Sequence, residues 1–216
     1  IADLVRLMDD AGVPDVRTRT GVARLKKKRL LVQEKRGAVG YALAPEAEPM
    51  LRRGDRRIFD VRRMRAGDPW CLISFTVAES HRDVRHQVRR RLQWIGCGMV
   101  SPALWICPDY LANEVEAVLR EVDAPRWVLF RTEEPRVQES LPSAVRTWWD
   151  LEHLRGEHEL FLETVALLDA TPVTTDREAF SAYIALIDAW RILPYVDPGL
   201  PIHLLPADWP GERSVD

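Results

Sequence analysis

A chain of 216 residues has room for one large domain or for two or three small ones with cores of their own. Its apolar share of 46% and charged share of 30% are those of an ordinary soluble globular protein, and no stretch approaches the roughly 18 apolar residues that would span a membrane. The net charge of −2 hides an asymmetry: residues 1–65 carry 17 Lys and Arg against 9 Asp and Glu, a net of +8, and the remainder carry 14 against 24, a net of −10. A basic head on an acidic body directs any polyanionic partner to the head.

Ile1-Ala2-Asp3-Leu4 lacks the basic region and apolar run of a signal peptide, so a cytoplasmic protein without a membrane anchor is expected. Residues 2–11 read as a helix with Leu4, Met8 and Ala11 on one face. Gly12-Val13-Pro14-Asp15 stops it and starts the next element, Asp15 serving as the expected N-cap. A second helix runs to about Arg29, and Leu30 to Leu43 reads as a hairpin around Arg36-Gly37. Helix, tight turn, basic helix and basic-tipped hairpin follow the order of a winged helix-turn-helix, assigned to residues 1–51.

A charged, Pro- and Gly-punctuated linker is expected over 52–69. Trp70 to Val77 then reads as a strand and Asp83 to Ile95 as a helix with Val84, Val88, Leu92 and Ile95 along one stripe. Met99–Ser101 and Leu104–Cys107 read as short strands, Asp109 to Glu121 as a helix and Arg126 to Arg131 as a last strand. This β-α-β-β-α-β order predicts a ferredoxin-like domain over 70–135, to which dimerisation is assigned as an expectation. From 136 onward a helical C-terminal domain is expected, with helices near 143–168 and 177–193. The second carries Phe180, Tyr183, Ile184, Ile187 and Trp190 at core spacing. A Pro-rich tail closes the chain, read as neither helix nor central strand and packed by its aromatics. The fold class is thus α+β and multidomain.

At 100° per residue Thr18, Gly21, Val22 and Leu25 form the buried face of the second helix, and Arg19, Thr20, Ala23, Arg24 and Lys27 point away. Ala23 permits close approach, Thr20 bonds a base edge or phosphate, and Arg24 suits a bidentate grip on guanine. Arg17, Lys26 and Lys28 flank that face and suit phosphates, as do Lys35 and Arg36 at the hairpin tip. Taken alone, Lys26-Lys27-Lys28-Arg29 also reads as a solvated helix end stabilised by the helix dipole.

Cys71, Cys97 and Cys107 lie in apolar strand-like settings and read as reduced, inert thiols. His81 and His86, five apart, do not share a helix face, and no metal-ligand spacing or cofactor motif occurs. No nucleophile stands at a recognisable distance from a base, so no enzyme activity is expected. A metal-dependent nuclease would need carboxylates at the end of the first strand of the middle domain. Trp70–Val77 holds none, and Glu79 lies just beyond.

Three runs resemble the PaaX-type family of repressors of phenylacetate breakdown. Val16 to Lys26 (VRTRTGVARLK) resembles its recognition helix, and Arg89 to Ile106 (RRRLQWIGCGMVSPALWI) its middle-domain signature. Asp197 to Pro201 (DPGLP) with Leu204 to Gly211 (LLPADWPG) is similar to its C-terminal one. The resemblance implies a homodimer that binds an inverted-repeat operator in double-stranded DNA and is released by an aryl-CoA thioester. It implies a middle domain related to small CRISPR-associated nucleases, a further head helix before Ile1, and another helix after Gly211. An acyl-CoA needs cations for its phosphates and an aromatic slot for its acyl end. Arg82, Arg85 and Arg89, on one helix face, and Trp94, Trp105 and Trp149 are the candidate effector residues. Solvated arginines and core tryptophans are the plainer reading of the same residues. A DNA-binding or interaction module without a small ligand is the remaining alternative.

Overall fold

The computed structural model describes residues 1–36, 38–122 and 126–215; the side chains of Arg36, Ala38, Val39 and Glu79 lie outside that description. The chain opens with helices α1 (Ala2–Asp10) and α2 (Asp15–Lys27), strands β1 (Leu31–Arg36) and β2 (Ala38–Leu43), and helix α3 (Glu48–Phe59). There follow β3 (Trp70–Thr76), α4 (Arg82–Trp94), β4 (Gly98–Ser101), β5 (Leu104–Pro108), α5 (Ala112–Glu121) and β6 (Arg126–Thr132). Helices α6 (Leu141–Trp148), α7 (Leu151–Asp169), α8 (Asp176–Trp190) and α9 (Leu193–Val196) complete it. The protein is mixed α and β, with antiparallel sheets, and divides into two compact units. One joins Ile1–Asp60 to Glu163–Arg191, the other Val61–Leu162 to Ile192–Asp216.

In the first unit α1 ends where the sequence places a stop. The Val13 N–H closes back on the Met8 carbonyl at 2.8 Å and the Gly12 N–H on Asp9 at 2.9 Å, which satisfies two free helix carbonyls. Pro14, not Asp15, is the N-cap of α2. Proline fixes the extended backbone there, and the Asp15 carboxylate is instead taken by Arg19 one turn on. β1 and β2 pair from Leu31↔Leu43 to Arg36↔Ala38. Residues 52–59, read as the start of the linker, continue helix α3. Its proline stands in the first turn, where the missing N–H costs nothing, and Glu48 accepts from Arg52 Nε at 3.0 Å.

Helix α8 packs into this same unit. Ser181 Oγ donates to the Asp10 carbonyl at 2.9 Å, Arg177 pairs with Asp10, and Trp190 Nε1 donates to the Ile58 carbonyl at 2.8 Å. None of its side chains is fully buried, and Tyr183 is 56% exposed, so the aromatic spacing marks a contact face rather than a closed core.

The second unit is built on a sheet of order β4-β5-β3-β6, each neighbour antiparallel. Strand alternation divides its side chains between two cores. Cys71, Ile73, Phe75, Trp105 and Cys107 meet Val88 and Leu92 of α4 and Val115 and Leu119 of α5. Trp70 and Ile106 point the other way, into Val145, Trp149, Leu154, Leu204 and Trp209. Both central strands are therefore buried on both faces, which explains their nearly continuous apolar sequence.

The long helix expected near 143–168 is broken at Trp149. That residue is extended, with φ −120° and ψ 142°, and Asp150 starts α7 by accepting the His153 N–H at 2.9 Å. The break sends Trp149 into the second core, where its Nε1 donates to the Gly96 carbonyl at 2.9 Å. Its ring lies 2.6 Å from where a Cβ on Gly98 would stand, so no larger residue fits there without movement. The Pro-rich tail is not wholly irregular: Leu193–Val196 is a helical turn with Pro194 in its first turn, where proline is tolerated. Beyond it Gly199 turns with φ +67° against the Arg62 backbone, and its carbonyl accepts the Met64 N–H at 2.8 Å. Trp209 is buried in the second core, as expected of a tail packed by aromatics.

Candidate nucleic-acid interface

Helix α2 has the two faces its periodicity predicts. Thr18 and Val22 are buried, Gly21 is half-buried, and Arg19, Thr20, Ala23, Arg24 and Lys27 are exposed. Leu25, placed on the inner face by spacing, is 40% exposed because it lies at the C-terminal end, where the packing runs out.

The exposed side chains are not equivalent. Arg17, Arg24, Lys27, Lys28 and Lys35 are exposed and carry no ion pair among the described residues, so their charges face solvent uncompensated. Arg19 is held by Asp15. That hydrogen bond, then the carboxylate charge, raises its pKa and keeps it cationic. Thr20 donates its hydroxyl to the Val16 carbonyl at 2.7 Å and keeps its lone pairs for an outside donor. Lys26 is drawn to the hairpin, its Nζ donating to Tyr41 Oη at 2.8 Å and lying 4.7 Å from that ring's centroid. The contact pins β2 to the basic helix, a pairing across 15 residues that helical periodicity could not reveal. Lys35 is exposed on the hairpin; the side chain of Arg36 lies outside the described residues.

Within this unit the helix reverses at Arg29, which adopts φ +57° and is the only described residue other than glycine with positive φ. Its N–H bonds the Lys26 carbonyl at 2.9 Å and that of Leu30 the Leu25 carbonyl at 3.0 Å. This motif aims the chain directly into β1.

The candidate effector residues, in the other unit, scatter. Arg82 is exposed at the start of α4, and Arg85 ties its Nη2 to the Val77 carbonyl at 2.9 Å. Trp94 is 56% exposed and stacks on Tyr195 with ring centroids 6.2 Å apart. Trp149 is core. Arg89 and Trp105 line one cleft of about 640 Å³, together with Asp83, His86, Gln87, Arg90, Gln93 and Met99. The register Met99↔Trp105 brings two strand residues side by side at that cleft, a proximity that sequence spacing alone does not give.

The three cysteines are buried and free. A hydrogen bond with Cys107, then burial, pushes the Cys71 thiol up. Cys71 pulls Cys107 down, but its contact with Cys97 and burial outweigh that and hold it well above the ordinary value. Both stay protonated and are poor nucleophiles. Among the described residues no three His, Cys, Asp or Glu side chains converge as metal ligands, and no helix is long and apolar enough to cross a membrane.

Comparison with known proteins gives concordant matches. A family model described as the PaaX protein central Cas2-like domain matches residues 63–144, and one described as the PaaX-like protein C-terminal domain matches residues 149–216. The transcriptional repressor PaaX of Escherichia coli (strain K12) is 26% identical over 223 residues, covering 99% of this chain and 70% of that protein. Among solved structures, the uncharacterized protein Rv0674 from Mycobacterium tuberculosis superposes with a TM-score of 0.61 at 23% identity. That match covers 99% of this chain and 82% of the other, and speaks for a shared fold.

Proposed function

The chain belongs to the PaaX-type family of transcriptional repressors, and from that premise we propose that it is a DNA-binding repressor whose α2 enters the major groove of an operator. The observation that carries this reading is the outer face of α2. Thr20, Ala23, Arg24 and Lys27 are exposed together, two of them as cations without an acidic partner among the described residues. Arg24 and Thr20 read base edges, Ala23 lets the backbone approach, and Arg17, Lys27 and Lys28 bind phosphates. Arg19 contributes once a phosphate competes with Asp15. Lys26 works by fixing the hairpin, so that Lys35 reaches the flanking backbone as a wing.

Residues 1–51 form the winged head in this reading, with 52–69 as its connection. The region 70–135 is a ferredoxin-like dimerisation domain, supported by the strand order β4-β5-β3-β6 with helices after its first and third strands. Residues 136–216 form a helical C-terminal domain with a Pro-rich tail. As a homodimer it binds an inverted repeat, one head per half-site, and an aryl-CoA-type effector releases it. The activity is regulatory rather than enzymatic, and its place is the cytoplasm.

Footprinting on the DNA upstream of the chain's own gene neighbourhood tests this. Two protected half-sites related by inversion, with affinity falling steeply as salt rises, are expected. Protection of random DNA equal to that of any upstream segment would overturn it.

A further inference from the structure

We propose that the cleft between α4 and the β4–β5 pair is a binding site for a small carboxylate with an apolar body, held by two buried donors that the protein itself leaves without partners. Trp105 is fully buried on β5, and its indole Nε1 meets no acceptor among the described residues. Arg89 on α4 donates Nη2 to the Pro102 carbonyl at 3.1 Å, but its Nε is also buried and has no partner among the described residues. Both residues line the same cleft, with Asp83, His86, Arg90 and Met99.

A buried donor with no acceptor costs roughly 1–3 kcal/mol, and native proteins leave few of them. The contrast within this chain is direct. The Trp149 and Trp190 indoles donate to backbone carbonyls at 2.9 and 2.8 Å, while Trp105, the most buried tryptophan, has no acceptor among the described residues. The missing partner must be an acceptor, because both orphans are N–H groups. It is best negatively charged, because one orphan belongs to a guanidinium and Arg90 lines the same wall. Asp83 disfavours a highly charged ligand such as a phosphate chain. The partly exposed Met99 offers apolar surface for the body, and a cleft of about 640 Å³ suits a small molecule. Binding here needs nothing from the DNA reading.

The test is titration of the full-length chain with sodium benzoate, sodium phosphate and benzamide, observing the tryptophan indole N–H resonances without DNA. Trp105→Phe assigns its signal. The signal is expected to shift saturably with benzoate, and at least tenfold more weakly with neutral benzamide and with phosphate. Arg89→Gln is expected to weaken benzoate about tenfold or more without lowering the melting temperature, and Arg89→Lys to weaken it too, since lysine lacks the Nε donor. If Trp105→Phe does not fold, Arg89→Gln and Arg89→Lys still decide by calorimetry. No shift at about 20 mM benzoate, an equal response to phosphate or benzamide, or unchanged affinity in Arg89→Gln would overturn the site. Intact operator binding beside a silent cleft leaves the repressor reading standing and removes the site. Benzoate binding in a chain that ignores every operator does the reverse.

Discussion

His158 Nε2 lies 2.9 Å from Asp197 Oδ2 in the interior of the second unit. The other imidazole nitrogen is 3.0 Å from Ser214 Oγ, and Asp197 Oδ1 accepts the Gly199 N–H at 2.8 Å. The Trp209 ring system closes the cluster in a T-shaped contact, its centroid 5.9 Å from that of the imidazole. One buried histidine thus ties the middle of α7 to both halves of the C-terminal signature, DPGLP and LLPADWPG.

Replacing His158 by Leu removes the partner of a mostly buried carboxylate and leaves Ser214 unsatisfied on that side. The expected cost is about 2–4 kcal/mol, read as a lower urea midpoint with unchanged slope. Ser214→Ala should cost less, since it leaves the carboxylate paired. An unchanged midpoint in His158→Leu would show that the cluster contributes nothing to stability.

The start of α8 carries a pH signature. Glu178 accepts the backbone N–H and hydroxyl of Thr174 and the backbone N–H of Thr175, while Thr175 Oγ1 accepts the Glu178 N–H at 3.2 Å. These bonds, led by the Thr174 backbone N–H, lower the Glu178 pKa from 4.5 to about 2. A carboxylate depressed on folding stabilises above its unfolded pKa, and that contribution fades as pH falls from about 4.5 through about 2. Wild type should therefore melt higher than Glu178→Gln at pH 7, the gap narrowing across that window. A gap independent of pH would refute the cap's role.

Much of this architecture is legible in the sequence where the cause is local. The two faces of α2, the stop at Gly12 and the strand alternation around Ile73 follow from periods of 3.6 and 2 and from turn chemistry. What is not legible is what distant segments do to one another. Trp149 leaves its helix to fill the space over Gly98, and Lys26 turns to Tyr41. α8 joins the head unit through Ser181, Arg177 and Trp190. Of the tryptophans read as candidate effector residues, Trp105 lines the cleft beside α4, because β5 points it beneath that helix; Trp149 lies across the sheet, in the other core.

Arg29 holds φ +57° at the end of α2, a region that costs a side chain of its kind about 1 kcal/mol. Arg29→Gly should raise stability by about 0.5–1 kcal/mol in urea denaturation. A loss of stability would mean that the Arg29 side chain makes contacts worth more than the strain.

The most direct test of the account is fluorescence anisotropy of a footprinted operator with wild type and Arg24→Ala, their melting temperatures matched. A guanidinium reading a base contributes about 1–3 kcal/mol, so affinity for the operator should fall roughly 5- to 150-fold while binding to unrelated DNA changes far less. Wild-type affinity in Arg24→Ala, with specificity intact, would contradict the placement of α2 in the groove.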